Sequence, residues 1–350
     1  MASILLADDG IEFDGRTPED RPLGGVESSV VALTAELARR GHRVTVRNKC
    51  REALDYNGVE WRPIDGDDWP DTIDLYIANR GDKLIARMPG AGRTVFWIHN
   101  PAGYLMKWRY LWKLWHYRPA IVFIGDYHAT TYPDWAPGGD RIVIPYGMSN
   151  LFCQSGARKV PPGPRAVFTS NPLRSLDWLL SLWADRIEPL VPGAELHLFT
   201  GAATYGRVGD GKSAAMDTIL KQAEHLADQG VRLRGPVAKT ELVDEFTQAR
   251  CMLYRGDLNE TFCLAVGEAQ ASGVPAVVQD LGSVVERVVD GRTGFIAKDD
   301  DHFVNRAVEL LKDDELWRRQ HETAIAEQRR WRWPDAAAAF EALLPPGTGS

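Results

Sequence analysis

Cysteine is scarce and scattered: Cys50, Cys153, Cys251 and Cys263 are the four in 350 residues, and no two form a C-x-x-C pair. That argues against a disulfide scaffold or a thiolate zinc site and suits reduced thiols in a cytoplasmic setting. Long apolar runs are lacking too, since none approaches the 18 or so residues of a membrane span. The N-terminus, MASILLADDG, has no basic flank and reaches acid at Asp8, so it reads as a first buried strand and not as a signal peptide. No G-x-G-x-x-G follows that strand, which speaks against a dinucleotide dehydrogenase. No D-x-D-type metal loop stands in a convincing context; Asp67-Asp68 and the acidic run 299–301 read as solvated turns, so neither a metal nor an organic cofactor is expected. Net positive charge is absent as well: 41 Lys and Arg against 48 Asp and Glu give −7, which disfavours nucleic-acid binding.

One further absence is local. Between residues 83 and 125 there is no acidic side chain, while Lys83, Arg87, Arg93, Lys107, Arg109, Lys113 and Arg118 are basic. Trp97, Trp108, Trp112 and Trp115, four of the twelve tryptophans, share that window. In GYLMKWRYLWKLWHYR, helical spacing puts Tyr104, Trp108, Leu111, Trp112 and Trp115 on one stripe, with Arg109, Lys113 and His116 opposite. Such a helix fits an interfacial segment on anionic lipid, with Lys107, Trp108, Arg109, Trp112, Lys113 and Trp115 as the contact residues. It equally fits a helix that buries its tryptophans in a core.

What is present is alternation. Short β-rich runs at 3–7, 43–47, 73–78, 94–98, 120–124 and 141–144 alternate with helical stretches, the first of them reading Val26, Val30, Leu33, Leu37 and stopping at Gly41. Residues 151–165, rich in Pro and Gly, read as a linker. Alternation resumes at 166–170, 195–199, 231–233, 251–254, 275–278 and 294–296. A chain of 350 residues is long for one core. The expected fold class is therefore α/β, with two doubly wound, Rossmann-like domains at about 1–150 and 165–330 facing a cleft. A closing helix at 334–344, restarted by Pro334, is expected to pack back on the first domain.

The most informative stretch is NETFCLAVGEAQASGVPAVVQDLGSVVERVVDGRTGFI, residues 259–296. A strand ending near Tyr254 leads through a loop into a helix expected to start around Thr261. The N–H groups of Thr261, Phe262, Cys263 and Leu264 would then point from a helix N-terminus, a suitable seat for a diphosphate. Glu260 stands at the mouth of that helix and Glu268 two turns inside.

This run resembles the Glu-(any seven)-Glu signature of the retaining nucleotide-sugar glycosyltransferases of family four, which have the GT-B fold. The match comprises Glu260, Phe262, Leu264, Glu268, Ala269, Ala271, Gly273, Pro275 and Glu286, with Cys263 in place of the usual Gly and Gly282-Ser283 in place of a Gly pair. The segment PLGGVESSVVALTAELARRGHRVTV is similar to the family's first glycine-rich loop and helix, where Gly24 and Gly25 would let backbone approach a phosphate or acceptor. RLRGPVAKTELVDEF resembles the segment that holds the nucleotide base, here near Gly235–Val237. In FTSNPLRSLDWLLSLW, Arg174 falls on the second of two cationic positions that grip the diphosphate, whereas Ser170 or Asn171 stands at the first. His99, at the end of TVFWI, matches a histidine beside the reacting sugar.

The resemblance implies transfer of a sugar from a nucleotide-diphosphate donor, favouring a UDP-sugar, with retained anomeric configuration and no metal. His99, Arg174 and Glu260 would be catalytic. Gly24, Gly25, Gly235, Val237, Thr261, Phe262, Cys263, Leu264 and Glu268 would bind the donor. A lipid or other envelope acceptor at the cytoplasmic membrane face is the leading expectation. A nucleotide-sugar epimerase, or transfer to a soluble saccharide or small molecule, stays open.

Overall fold

The computed structural model describes residues 1–21, 23–201 and 210–347, which form two compact units. The first unit is Met1–Gly147 with the C-terminal segment from Arg332, and the second is Met148–Trp331.

Eight strands build the first unit: β1 Ser3–Asp8, β2 Arg43–Asn48, β3 Leu54–Tyr56, β4 Val59–Pro63, β5 Ile73–Asn79, β6 Ala91–Trp97, β7 Ala120–Phe123 and β8 Arg141–Val143. Their order across the sheet is β3-β4-β2-β1-β5-β6-β7-β8. Neighbours run parallel except β3 and β4. Strands covered on both faces must be apolar nearly throughout, and Leu5, Leu6, Ile77, Phe96 and Val122 are fully buried. The β3–β4 hairpin is an addition to what the sequence pattern suggested. It turns on Asn57-Gly58, both at positive φ (50° and 77°), the two-residue turn whose twist suits a hairpin.

The helices of this unit are α1 Thr17–Asp20, α2 Gly25–Arg39, α3 Trp108–Tyr117 and α4 Asp126–Thr130. Helix α2 buries Val30, Leu33 and Leu37, as its periodicity requires. It ends where Gly41 takes φ 92°, a conformation open to glycine without a Cβ penalty.

The second unit carries β9 Arg165–Phe168, β10 Glu195–Leu198, β11 Val231–Leu233, β12 Cys251–Leu253, β13 Ala276–Gln279 and β14 Gly294–Ala297. All pair in parallel, in the order β11-β10-β9-β12-β13-β14. Its helices are α5 Leu176–Leu182, α6 Asp210–His225, α7 Lys239–Gln248, α8 Leu264–Ala271, α9 Asp300–Lys312 and α10 Asp314–Gln328. The start of the expected linker is folded onto this unit. Phe152 is buried against Phe246, with ring centroids 6.0 Å apart. Arg158 N–H donates to His321 Nε2 at 2.8 Å, and Arg329 donates to the Ser155 carbonyl at 2.7 Å.

The last helix, α11 Trp333–Glu341, belongs to the first unit and packs on α2. Arg332 N–H donates to the Asp335 carboxylate at 2.8 Å, and Phe340 meets Trp97 edge-on at 5.2 Å.

In each sheet the strand order reverses beside the first strand. β1 lies between β2 and β5, and β9 between β10 and β12. Open α/β sheets bind ligands outside the carboxyl ends of strands at such switch points. Asp8 and Asn79 end β1 and β5, while the segments carrying Arg174 and Glu260 follow β9 and β12.

Candidate functional site

In the second unit the chain leaves β12 at the fully buried Tyr254 and turns tightly before Glu260. Asn259 N–H donates to the Asp257 carboxylate at 2.7 Å, and Glu260 N–H to the Asp257 carbonyl at 2.9 Å. Helix α8 then starts at Leu264, three residues later than the sequence suggested. Cys263, at φ 64°, is the residue that caps it. The left-handed conformation disfavours a residue with a Cβ, so the capping position is less legible from a Cys than from a Gly. The first-turn N–H groups of α8 are consequently those of Leu264, Ala265 and Val266. Thr261, Phe262 and Cys263 form the buried loop before them.

Glu260 is 5% exposed and surrounded by donors. The Arg174 guanidinium pairs with Oε1. The Tyr254 hydroxyl donates to Oε2 at 2.5 Å, and the Cys263 thiol also bonds the carboxylate. Burial pushes the Glu260 carboxyl up, against the pull of Arg174, Tyr254 and Cys263. Arg174 reaches Glu260 from the loop between β9 and α5, where its N–H donates to the Asn171 carbonyl at 2.9 Å. The other expected cationic position holds no charge. Ser170 is buried with its hydroxyl 3.5 Å from that of Tyr254, and Asn171 Oδ1 accepts from Leu173 N–H at 2.9 Å.

Glu268, inside α8 and 7% exposed, pairs with Lys239 Nζ at 2.5 Å. Lys239 opens α7, just after Gly235 (φ 73°) and Val237 at the carboxyl end of β11. The structure thus joins Arg174 to Glu260 directly and gives Glu268 its own cation. Sequence reasoning overlooked Tyr254 and Lys239. Tyr254 reads as the last apolar residue of a strand, and Lys239 as one of many helix-start polar residues.

In the first unit, Gly24 caps α2 in an extended conformation (φ −61°, ψ 161°), so it is not required for a left-handed turn. A Cβ there would lie 2.6 Å from Glu27 Oε2, so a larger residue would make the Glu27 carboxylate shift. Gly25 is the first residue of α2. Glu27 accepts from Arg80 Nη2 at 2.9 Å, and the same guanidinium donates twice to the fully buried Asp8, at 3.0 Å each. A Cβ on Gly10 would collide with Arg80 Nη2, at 1.9 Å.

His99 stands next to this cluster, with both ring nitrogens engaged. Asn79 Nδ2 donates to Asp8, which turns Asn79 Oδ1 toward His99 Nε2 at 2.5 Å. Nε2 therefore carries the proton, and Nδ1 accepts from the Tyr146 hydroxyl at 2.5 Å. Burial, with Arg80 and His128 nearby, holds the ring's pKa well below the usual range, so it is neutral. As it stands His99 offers no free donor to a sugar; a sugar hydroxyl would have to displace Asn79 or Tyr146.

Helix α3 turns the tryptophan stripe outward. Its buried residues are Tyr110 and Leu114, while Trp108, Trp112 and Trp115 are 77%, 40% and 68% exposed. The reading in which these tryptophans pack a core is therefore overturned. The basic face is also reduced, because Asp82, one residue before the acid-free window, pairs with Lys113 Nζ at 2.9 Å and lies 3.6 Å from Arg109 Nε. Lys107 is exposed. No helix among the described residues is long and apolar enough to cross a membrane.

Comparison with known proteins places these sites in context. The profile of the family described as glycosyl transferases group 1 matches residues 167–313. A D-inositol 3-phosphate glycosyltransferase of Xylanimonas cellulosilytica is 34% identical over an alignment that covers 93% of both chains. Other relatives of that name match over only 24–39% of their own length. Among solved structures, sucrose-phosphate synthase from Thermosynechococcus elongatus superposes with a TM-score of 0.74 at 15% identity, covering 98% of both chains. Anabaena HepE, solved in complex with UDP-glucose, superposes with a TM-score of 0.69 at 15% identity, covering 98% of this chain and 100% of that one. At such identities the structural likeness concerns the fold.

Proposed function

We infer that this chain, which belongs to the family-four, group 1 glycosyltransferases with the GT-B fold, transfers a sugar from a nucleotide-diphosphate donor, favouring UDP-sugars, with retention of anomeric configuration. The observation that carries this reading is the pairing of Arg174 with Glu260 just before helix α8, with Glu268 two turns further on. Arg174 and the first-turn N–H groups of α8 would neutralise the leaving diphosphate as the anomeric C–O bond breaks. Glu260 would accept hydrogen bonds from sugar hydroxyls, and Glu268, paired with Lys239, from the ribose. Gly235 and Val237 would face the base. The new bond forms to an acceptor hydroxyl, whose proton passes to the departing diphosphate.

For the acceptor we propose a lipid or envelope molecule at a membrane surface. The exposed Trp108, Trp112 and Trp115 beside Lys107 support it, since tryptophan and lysine favour the interface of anionic bilayers. A second reading, a soluble phosphorylated polyol, draws on the likeness to D-inositol 3-phosphate glycosyltransferases and on the neutralisation of Lys113 and Arg109 by Asp82.

Screening binding of nucleotide sugars, followed by mass spectrometry of lipid extracts and of D-inositol 3-phosphate after incubation, tests both. A glycosylated lipid supports the first reading and a glycosylated inositol phosphate the second. Conversion of the donor to a free epimer without any acceptor would overturn transfer altogether.

A further inference from the structure

We propose that Tyr254 is a positioning residue that keeps Glu260 charged when the donor's diphosphate draws Arg174 away. The inference rests on the donor-site reading above and deepens it.

Arg174 is the cation that bonds Glu260, and its side chain is 36% exposed against 6% for the carboxylate. A diphosphate carries more negative charge than one carboxylate and accepts guanidinium hydrogen bonds in the same planar geometry. When it engages Arg174, Glu260 stays behind, buried and without its counter-charge. A buried carboxylate in that position takes up a proton. Protonated, it would lose the acceptor strength needed to hold sugar hydroxyls.

The remaining neighbours decide the outcome. Tyr254 O–H donates to Oε2 at 2.5 Å, the oxygen that Arg174 does not use. Its ring is fully buried at the end of β12 and sits 5.8 Å from that of Phe168, so the hydroxyl is fixed by the core. Burial pushes the phenol well up, which keeps it a donor throughout the working range of pH. The Cys263 thiol is a second donor from the cap of α8. Asp257, in the preceding turn, acts the other way and favours the protonated acid. Of the groups facing Glu260, Tyr254 is thus the strong donor that does not itself have a diphosphate to bind. It acts through Glu260.

Calorimetry with UDP as the probe, in buffers of different ionisation enthalpy, counts the protons that accompany binding. Wild type is expected to bind UDP with little proton uptake near neutral pH. Tyr254→Phe, which keeps the ring and removes the hydroxyl, is expected to bind UDP with additional uptake approaching about one proton per site. That uptake should fade as pH is raised. Replacing Tyr254 with 3-fluorotyrosine, a stronger donor of nearly the same shape, should hold uptake at or below the wild-type level, which covers the case in which Tyr254→Phe does not fold. Equal proton counts in wild type and a folded Tyr254→Phe, or more uptake with fluorotyrosine, overturn the proposal. Failure of the underlying reading looks different: UDP does not bind, or Arg174→Ala binds it as well as wild type.

Discussion

The two units carry polar centres of opposite design at matching places, the carboxyl ends of strands at a switch point. In the first, one cation faces two carboxylates, since Arg80 bonds both Asp8 and Glu27, and a hydrogen-bonded chain runs from Asp8 through Asn79 and His99 to Tyr146. In the second, each carboxylate has one cation, and both cations are partly exposed: Arg174 36% and Lys239 40%. A centre whose cation is already doubly matched is a rigid frame. A centre whose cations are singly matched and reachable can trade a carboxylate for an incoming diphosphate. That difference supports the proposed placement of donor chemistry in the second unit on physical grounds separate from any motif.

The largest effect that would break the comparison is on stability. Asp8→Ala leaves Arg80 with one partner and opens the buried chain, and is expected to cost about 3–5 kcal/mol in urea unfolding. A loss below about 1 kcal/mol would mean that the first centre is no frame. Next in size, Arg174→Ala and Glu268→Gln should each lower transfer by about a hundredfold or more in protein that still folds. Near-normal turnover in either folded variant would remove it from the donor site.

A pH effect of similar size sharpens the picture of the first unit. Burial lowers the pKa of His128 from 6.5 to about 4, while its Nε2 proton bonds the Asn100 carbonyl at 2.9 Å. The unfolded chain therefore binds the extra proton first. The stabilisation is complete above pH 6.5 and declines as pH falls from 6.5 towards about 4, by a total of about 3 kcal/mol. Unfolding free energies across that range should show the decline in wild type and a shallower one in His128→Gln. The smallest stability effect is expected at the surface of α3. Trp108→Ala and Trp115→Ala should change stability by less than about 0.5 kcal/mol and reduce sedimentation with anionic vesicles. Unchanged vesicle binding would favour a soluble acceptor.

The sheets were largely legible in the sequence because buried parallel strands are apolar runs bounded by turns, and the ends of the expected strands differ from the observed ones by no more than three residues. The β3–β4 hairpin went unread although Asn57-Gly58 announces it, because its strands are short and polar at the edge. The start of α8 was misplaced because a left-handed cap written as Cys263 does not look like one. The α3 stripe left two readings open, because spacing alone does not tell a buried face from an exposed one; Tyr110 and Leu114 fill the core side and the tryptophans face solvent, while Asp82, just outside the acid-free window, pairs with Lys113. Partnerships across distant segments, Arg174 with Glu260 and Lys239 with Glu268, follow from strand order, which a linear reading does not contain.

A crystal structure of the wild-type protein with a bound UDP-sugar tests the central claim most directly. The account predicts the diphosphate on Arg174 and the first turn of α8, Arg174 withdrawn from Glu260, and the Tyr254 hydroxyl still donating to the Glu260 carboxylate. A diphosphate bound elsewhere, with the Arg174–Glu260 pair intact, would contradict it.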